Sequence, residues 1–159
     1  MRKTIALLTT LLALSWGWAS LRAAEAPHKN HSSEATPMSR AMEKTSPDGT
    51  FEHIIVEKNI RAEFQIMSLA SMNMKDPNGD THHVMVKLFH ISINQPIKNA
   101  VGKVKIIKPD GKEQTNSLKN YNGIFAANFT FGEKGKYGVI CLVIVDGEKH
   151  IFKFWYPHG

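Results

Sequence analysis

The chain has 159 residues, a formal charge of +6 and a single cysteine. That length suits one domain with a tail, and one cysteine excludes an internal disulfide, so stability has to come from an apolar core. The lysines are scattered rather than grouped, so there is no block of like charge of the kind that marks a nucleic-acid or membrane-surface segment.

The first element is an export signal. Arg2 and Lys3 form a short positive region, Ile5 to Trp18 carry no charge, and small residues come next at Ala19, Ser20, Ala23, Ala24 and Ala26. This is the three-part layout of a secretory signal peptide, assigned to residues 1–26. A membrane anchor is the other reading, but the uncharged run falls short of the roughly 20 residues a spanning helix needs. Cleavage is open between Gly17-Trp18-Ala19 and Ala24-Glu25-Ala26. No cysteine stands near either, so no lipid anchor is expected. Loss of this segment removes Arg2, Lys3 and Arg22 against Glu25 and lowers the charge from +6 to +4. The expected location is periplasmic, which also makes nucleic acid an improbable partner.

Residues 27–50 read as a flexible polar tail. Pro27 to Glu34 is polar, and Pro37, Pro47 and Gly49 interrupt the remainder of the stretch. So little apolar surface does not offset the entropy of ordering the chain. A short helix around Met38 to Lys44 is the only element expected there.

From residue 51 to the end the pattern changes to β. Runs rich in Val, Ile, Phe and Tyr alternate with turn signals. Strands are expected over 51–57, 60–69, 81–90, 100–108, 114–118, 124–131, 137–145 and 150–156. In the second, Ile60, Ala62, Phe64 and Ile66 share one face, and Arg61, Glu63, Gln65 and Met67 share the other. In the third, Val84, Val86 and Leu88 oppose His83, Met85, Lys87 and Phe89. This period of two marks half-buried strands. Pro77, Asn78 and Gly79 set a loop, and Asp146-Gly147 suits a two-residue hairpin. The fold class is therefore an all-β, immunoglobulin-like antiparallel sandwich of about seven or eight strands over residues 51–159, with a closed barrel as the alternative.

The residues that bear on chemistry are Met67, Met72, Met74, His82, His83 and Met85. Thioether sulfur suits Cu(I), and imidazole suits Cu, Zn and Ni. If the second and third strands pair through the intervening loop, parity allows Met67 to face His83, and Met72 and Met74 could fold over them. Packing, or a contact surface for a partner, is the competing reading, since Met fills gaps in cores and interfaces. His28 and His31 form a second, weaker metal candidate in the tail. His53, His90 and His150 read as structural or solvated, and Cys141, inside the apolar run 139–145, as a buried small residue. No Gly-x-Ser-x-Gly, His-Glu-x-x-His or phosphate-binding loop occurs, so the chain is not expected to be an enzyme.

Residues 60–156 resemble a family of small periplasmic immunoglobulin-like domains, the YtkA-like and FixH-like group. The matching stretches are Ala100-Val101-Gly102-Lys103-Val104, Pro109-Asp110-Gly111-Lys112, Gly123-Ile124-Phe125-Ala126-Ala127, Gly135-Lys136-Tyr137-Gly138-Val139 and Phe152-Lys153-Phe154-Trp155-Tyr156. These are turns and core positions, so they speak to fold first. The fold is similar to that of CopC-like copper carriers, and the resemblance implies a role beside metal-handling systems. An N-terminal His of the copper-carrier type is lacking unless cleavage brings His28 next to the new amine. Two functions are therefore expected: a periplasmic protein that binds copper through Met and His, or a metal-free module that docks a periplasmic or membrane-complex protein.

Overall fold

The computed structural model describes residues 42–159. The expected signal peptide and the first part of the expected tail, with His28 and His31, lie outside the described residues. The rest is almost entirely strand: β1 Met42–Thr45, β2 Phe51–Glu57, β3 Ile60–Ser68, β4 His82–His90, β5 Gln95–Ile97, β6 Ala100–Ile107, β7 Glu113–Ser117, β8 Lys119–Tyr121, β9 Ile124–Phe129, β10 Gly135–Val145 and β11 Glu148–His158. One 3-10 turn, Ala70–Met72, succeeds β3.

The strands form two antiparallel sheets, a seven-stranded one ordered β1-β2-β3-β4-β9-β8 with β5 also on β4, and a four-stranded one ordered β11-β10-β6-β7. Two separate sheets facing one core make this an all-β sandwich and not a closed barrel. All eight strands expected from the alternation are present. Three more lie beyond that pattern, and Met42–Thr45 corrects the helix anticipated around Met38 to Lys44: residues 42–45 pair with β2 in register from Met42 with Ile54 to Thr45 with Phe51. All four β1 residues are exposed, so this edge strand is held by backbone hydrogen bonds and carries no hydrophobic alternation. β5 and β8 are three residues each, too short for a period to show.

The alternation works as physics requires. Ala62, Phe64, Ile66, Val84, Val86 and Leu88 of the larger sheet are buried against Val104, Ile106, Val139, Cys141, Val143 and Phe152 of the smaller. Aromatic rings join the two layers: Phe154 on β11 lies 4.6 Å from His53 on β2 and 4.8 Å from Phe64 on β3, centroid to centroid. His150 on β11 reaches across to Glu57 on β2, Nδ1 to Oε2 at 2.7 Å. Burial pushes the Cys141 thiol up to about 12, so it is a small apolar residue, not a nucleophile. Turns close the hairpins with the expected chemistry. Asp146 (φ 51°) and Gly147 (φ 84°) both take the left-handed conformation between β10 and β11, as a type I′ turn demands.

Candidate functional site

The outer face of the seven-stranded sheet carries three of the candidates, Met67, His83 and Met85. β3 pairs with β4 so that Met67 stands directly opposite His83, and Gln65 opposite Met85. Side chains opposed in this way have Cβ atoms about 5 Å apart. β4 also pairs with β9, which sets Asn128 opposite His83 on its other side. One row across the sheet therefore reads Met67, His83, Asn128, with Met85 one step along β4 on the same face.

His83 is held by a relay. Its Nδ1 is hydrogen-bonded to Asn128 Oδ1, and Asn128 Nδ2 donates to Asp76 Oδ2 at 2.7 Å. Asp76 also caps the loop by accepting from the Asn78 backbone N–H at 2.7 Å. The Asn128 amide, and after it the Asn78 N–H, holds the Asp76 carboxyl below its ordinary value, so it stays ionised and demands donors. A carboxylate on one side forces Asn128 to present its amide N–H₂ there and its oxygen to His83. His83 must then carry its proton on Nδ1, which in the neutral ring leaves the lone pair on Nε2. Hydrogen bonding of one imidazole nitrogen to orient the other is the usual support of a metal-ligating histidine.

The loop after β3 brings Met74 to the groove that His83 lines. Asn73 adopts φ 54°, and the backbone N–H groups of Met72 and Met74 both return to the Leu69 carbonyl, at 3.1 and 2.9 Å. The chain thus folds back over the sheet. Met74 and His83 line one groove of about 400 Å³, which Asp76, Asp80, Asn128, Lys119 and Tyr121 also line. Met72 lies in the 3-10 turn, half-buried, and neither it nor Met67 nor Met85 lines that groove. Among the described residues no three His, Cys, Asp or Glu side chains converge to hold a metal ion. The groove that His83 lines holds one thioether, Met74, together with the carboxylates of Asp76 and Asp80, and Met67 stands across the ladder from His83.

His82 does not join this set. It shares the inward parity of Val84 and Val86 and is 9% exposed. Its ring sits at one end of the sandwich among Phe131, Tyr156 and His158, with centroids 5.0 Å from His158. Thr81 Oγ1 lies 2.8 Å from its Nδ1. Burial, with the His158 ring adding to it, lowers His82 to about 4. Burial lowers His53 as well, against the opposing charge of Glu43.

These histidines make the fold acid-sensitive. A His with a depressed folded value binds fewer protons than in the unfolded chain, so stability is full above about pH 6.5 and falls as pH drops toward 4. For His82 the loss is about 2 kcal/mol, after allowing for solvent reaching the chamber. Urea unfolding at pH 7 and pH 4.5 is expected to show that loss, and His82→Phe is expected to remove most of it. An unchanged pH slope in His82→Phe would mean that other groups cause the acid loss.

The supports of His83 are invisible to sequence reading. Asn128 stands out there only as part of Asn128-Phe129-Thr130, a glycosylation-type triplet, and Asp76 as a turn acid. No protein-family model, characterised protein or solved structure matches the chain.

Proposed function

We propose that this protein binds a soft metal ion, Cu(I) foremost, at His83, with Met67 and Met74 as thioether donors and Met85 alongside, in the service of metal handling. One observation carries the reading: His83 has its Nδ1 committed to the Asn128–Asp76 relay, while Nε2 is left as the donor in a groove that Met74 shares. An oriented imidazole with the Met74 thioether in its groove and Met67 across the ladder favours Cu(I) over Mg or Ca, and over Zn, which prefers four nitrogen, thiolate or carboxylate ligands. The resemblance to YtkA-like and FixH-like domains points the same way and adds the periplasm as the expected compartment.

Titration of the full chain with Cu(I) against a competing chelator tests the proposal. Uptake of one ion with submicromolar affinity is the expected result. No uptake at micromolar Cu(I), or uptake indifferent to Met67→Leu, Met74→Leu and His83→Ala together, overturns it. A metal-free docking role is the second reading. It is favoured by a different observation: Val101 and Trp155, on the outside of the four-stranded sheet, are 66% and 62% exposed.

A further inference from the structure

The outside of the four-stranded sheet gathers cations and apolar side chains into one plane. Register sets Ile151, Leu142 and Lys103 in one row, and Lys153, Ile140 and Lys105 in the next. The flanking rows are Lys149, Ile144 and Val101 on one side and Trp155, Gly138 and Ile107 on the other. Gly138 has no side chain, so the Trp155 ring lies across it, with Cζ3 3.4 Å from where a Cβ would stand. The indole is braced there yet faces solvent.

The charge on these rows is one-sided. The only carboxylate on them is Glu113, across from Ile107, and Lys105 holds it at 2.6 Å. Among the described residues Lys103, Lys149 and Lys153 have no acidic partner within ion-pair distance. All three are exposed, as is Ile151 between the last two on β11.

We propose that this face lays the protein on an anionic lipid bilayer, with Lys103, Lys149 and Lys153 at the headgroup phosphates and Trp155 and Ile151 at the headgroup–acyl boundary. An acidic protein surface fits the composition less well. Protein interfaces are enriched in Arg and depleted in Lys, and every cation on this face is Lys. Lys is an effective charge at an anionic membrane, and Trp favours the interfacial depth. The proposed contact is made by the strands β6 and β11, whose outward side chains supply the lysines, Trp155 and Ile151. The inference rests on the docking reading and not on the ion site, which occupies the outside of the other sheet; copper uptake can fail without touching it.

The test uses the full chain carrying Trp16→Phe and Trp18→Phe, which leaves Trp155 as the only tryptophan. Its emission is monitored on addition of vesicles of phosphatidylglycerol and phosphatidylcholine, of phosphatidylcholine alone, or of polyglutamate. The expected result is a blue shift with the anionic vesicles only. The apparent affinity should fall by at least about tenfold on Lys103→Glu with Lys153→Glu, and similarly on raising salt from roughly 0.05 to 0.5 M in the parent. The salt arm needs no refolding of a variant. Emission unmoved by anionic vesicles overturns the proposal even if the N-terminal segment brings the chain to the lipid. So does an equal shift with phosphatidylcholine alone. A shift with polyglutamate but not with vesicles overturns it in favour of an acidic protein partner.

Discussion

His83→Ala is expected to weaken Cu(I) binding by at least about 100-fold while leaving the sandwich folded. The side chain sits half-buried on the outer face of β4, so its removal costs the fold about one hydrogen bond to Asn128, roughly 1 kcal/mol, which the thermal melt reads apart from binding. The relay makes a sharper prediction. Asn128→Ala touches no ion, yet it releases His83 Nδ1 and with it the orientation of Nε2. Loss of such a support costs roughly 10- to 100-fold in affinity. A cavity or packing role for Asn128 would instead move the melting temperature and spare binding. Met67→Leu and Met74→Leu keep volume and apolar character, so a fall in Cu(I) affinity with unchanged stability reads the sulfur alone. Competition titrations of these variants, each beside its thermal melt, decide the matter. If Asn128→Ala binds Cu(I) as the parent does, the relay has no part in the ion site.

Phe154→Ala is expected to destabilise the fold by about 3–5 kcal/mol. Phe154 is 7% exposed and touches aromatic rings of both β2 and β3 from the opposing sheet. Its neighbours are His53 at 4.6 Å, Phe64 at 4.8 Å and Phe51 at 6.1 Å. Removing it opens a void where the two layers meet, and rigid strands on both sides resist collapse into it. For a domain of this size the melting temperature should drop by roughly 10–20 °C. Phe154→Leu, which retains part of the volume, should lose less than half as much. A loss under about 1 kcal/mol by urea unfolding, with unchanged dependence on denaturant, would show that the sheets close over the gap.

Much of the architecture is legible before any coordinates. The period of two over β3 and β4 assigns Phe64 and Val86 to the interior and Met67 and His83 to the exterior, and the structure agrees. The pairing of Met67 with His83 comes from the same parity once the two strands are joined by a loop. The inward place of His82 is equally readable, because it shares parity with Val84; grouping it with His83 overlooks that one step along a strand changes the face. β1 escapes sequence reading because Met42 to Thr45 buries nothing, so its only signal is backbone hydrogen bonding, which side chains do not advertise.

The properties that the chain determines by itself are local: which residues can be strand, which face of each is apolar, where turns with left-handed residues must fall, and that thioethers and imidazoles cluster near β3 and β4. Those properties depend on neighbours two to four positions away and on the free energy of burying a side chain. Strand adjacency is different, because it depends on long-range closure and on packing two whole sheets together. Only the tertiary structure sets β9 beside β4, so that Asn128 can orient His83. Only it turns the loop back so that Met74 shares their groove. It also gathers lysines that form no block in sequence onto one plane, since cross-strand register brings together residues from β6 and β11 on either side of β10.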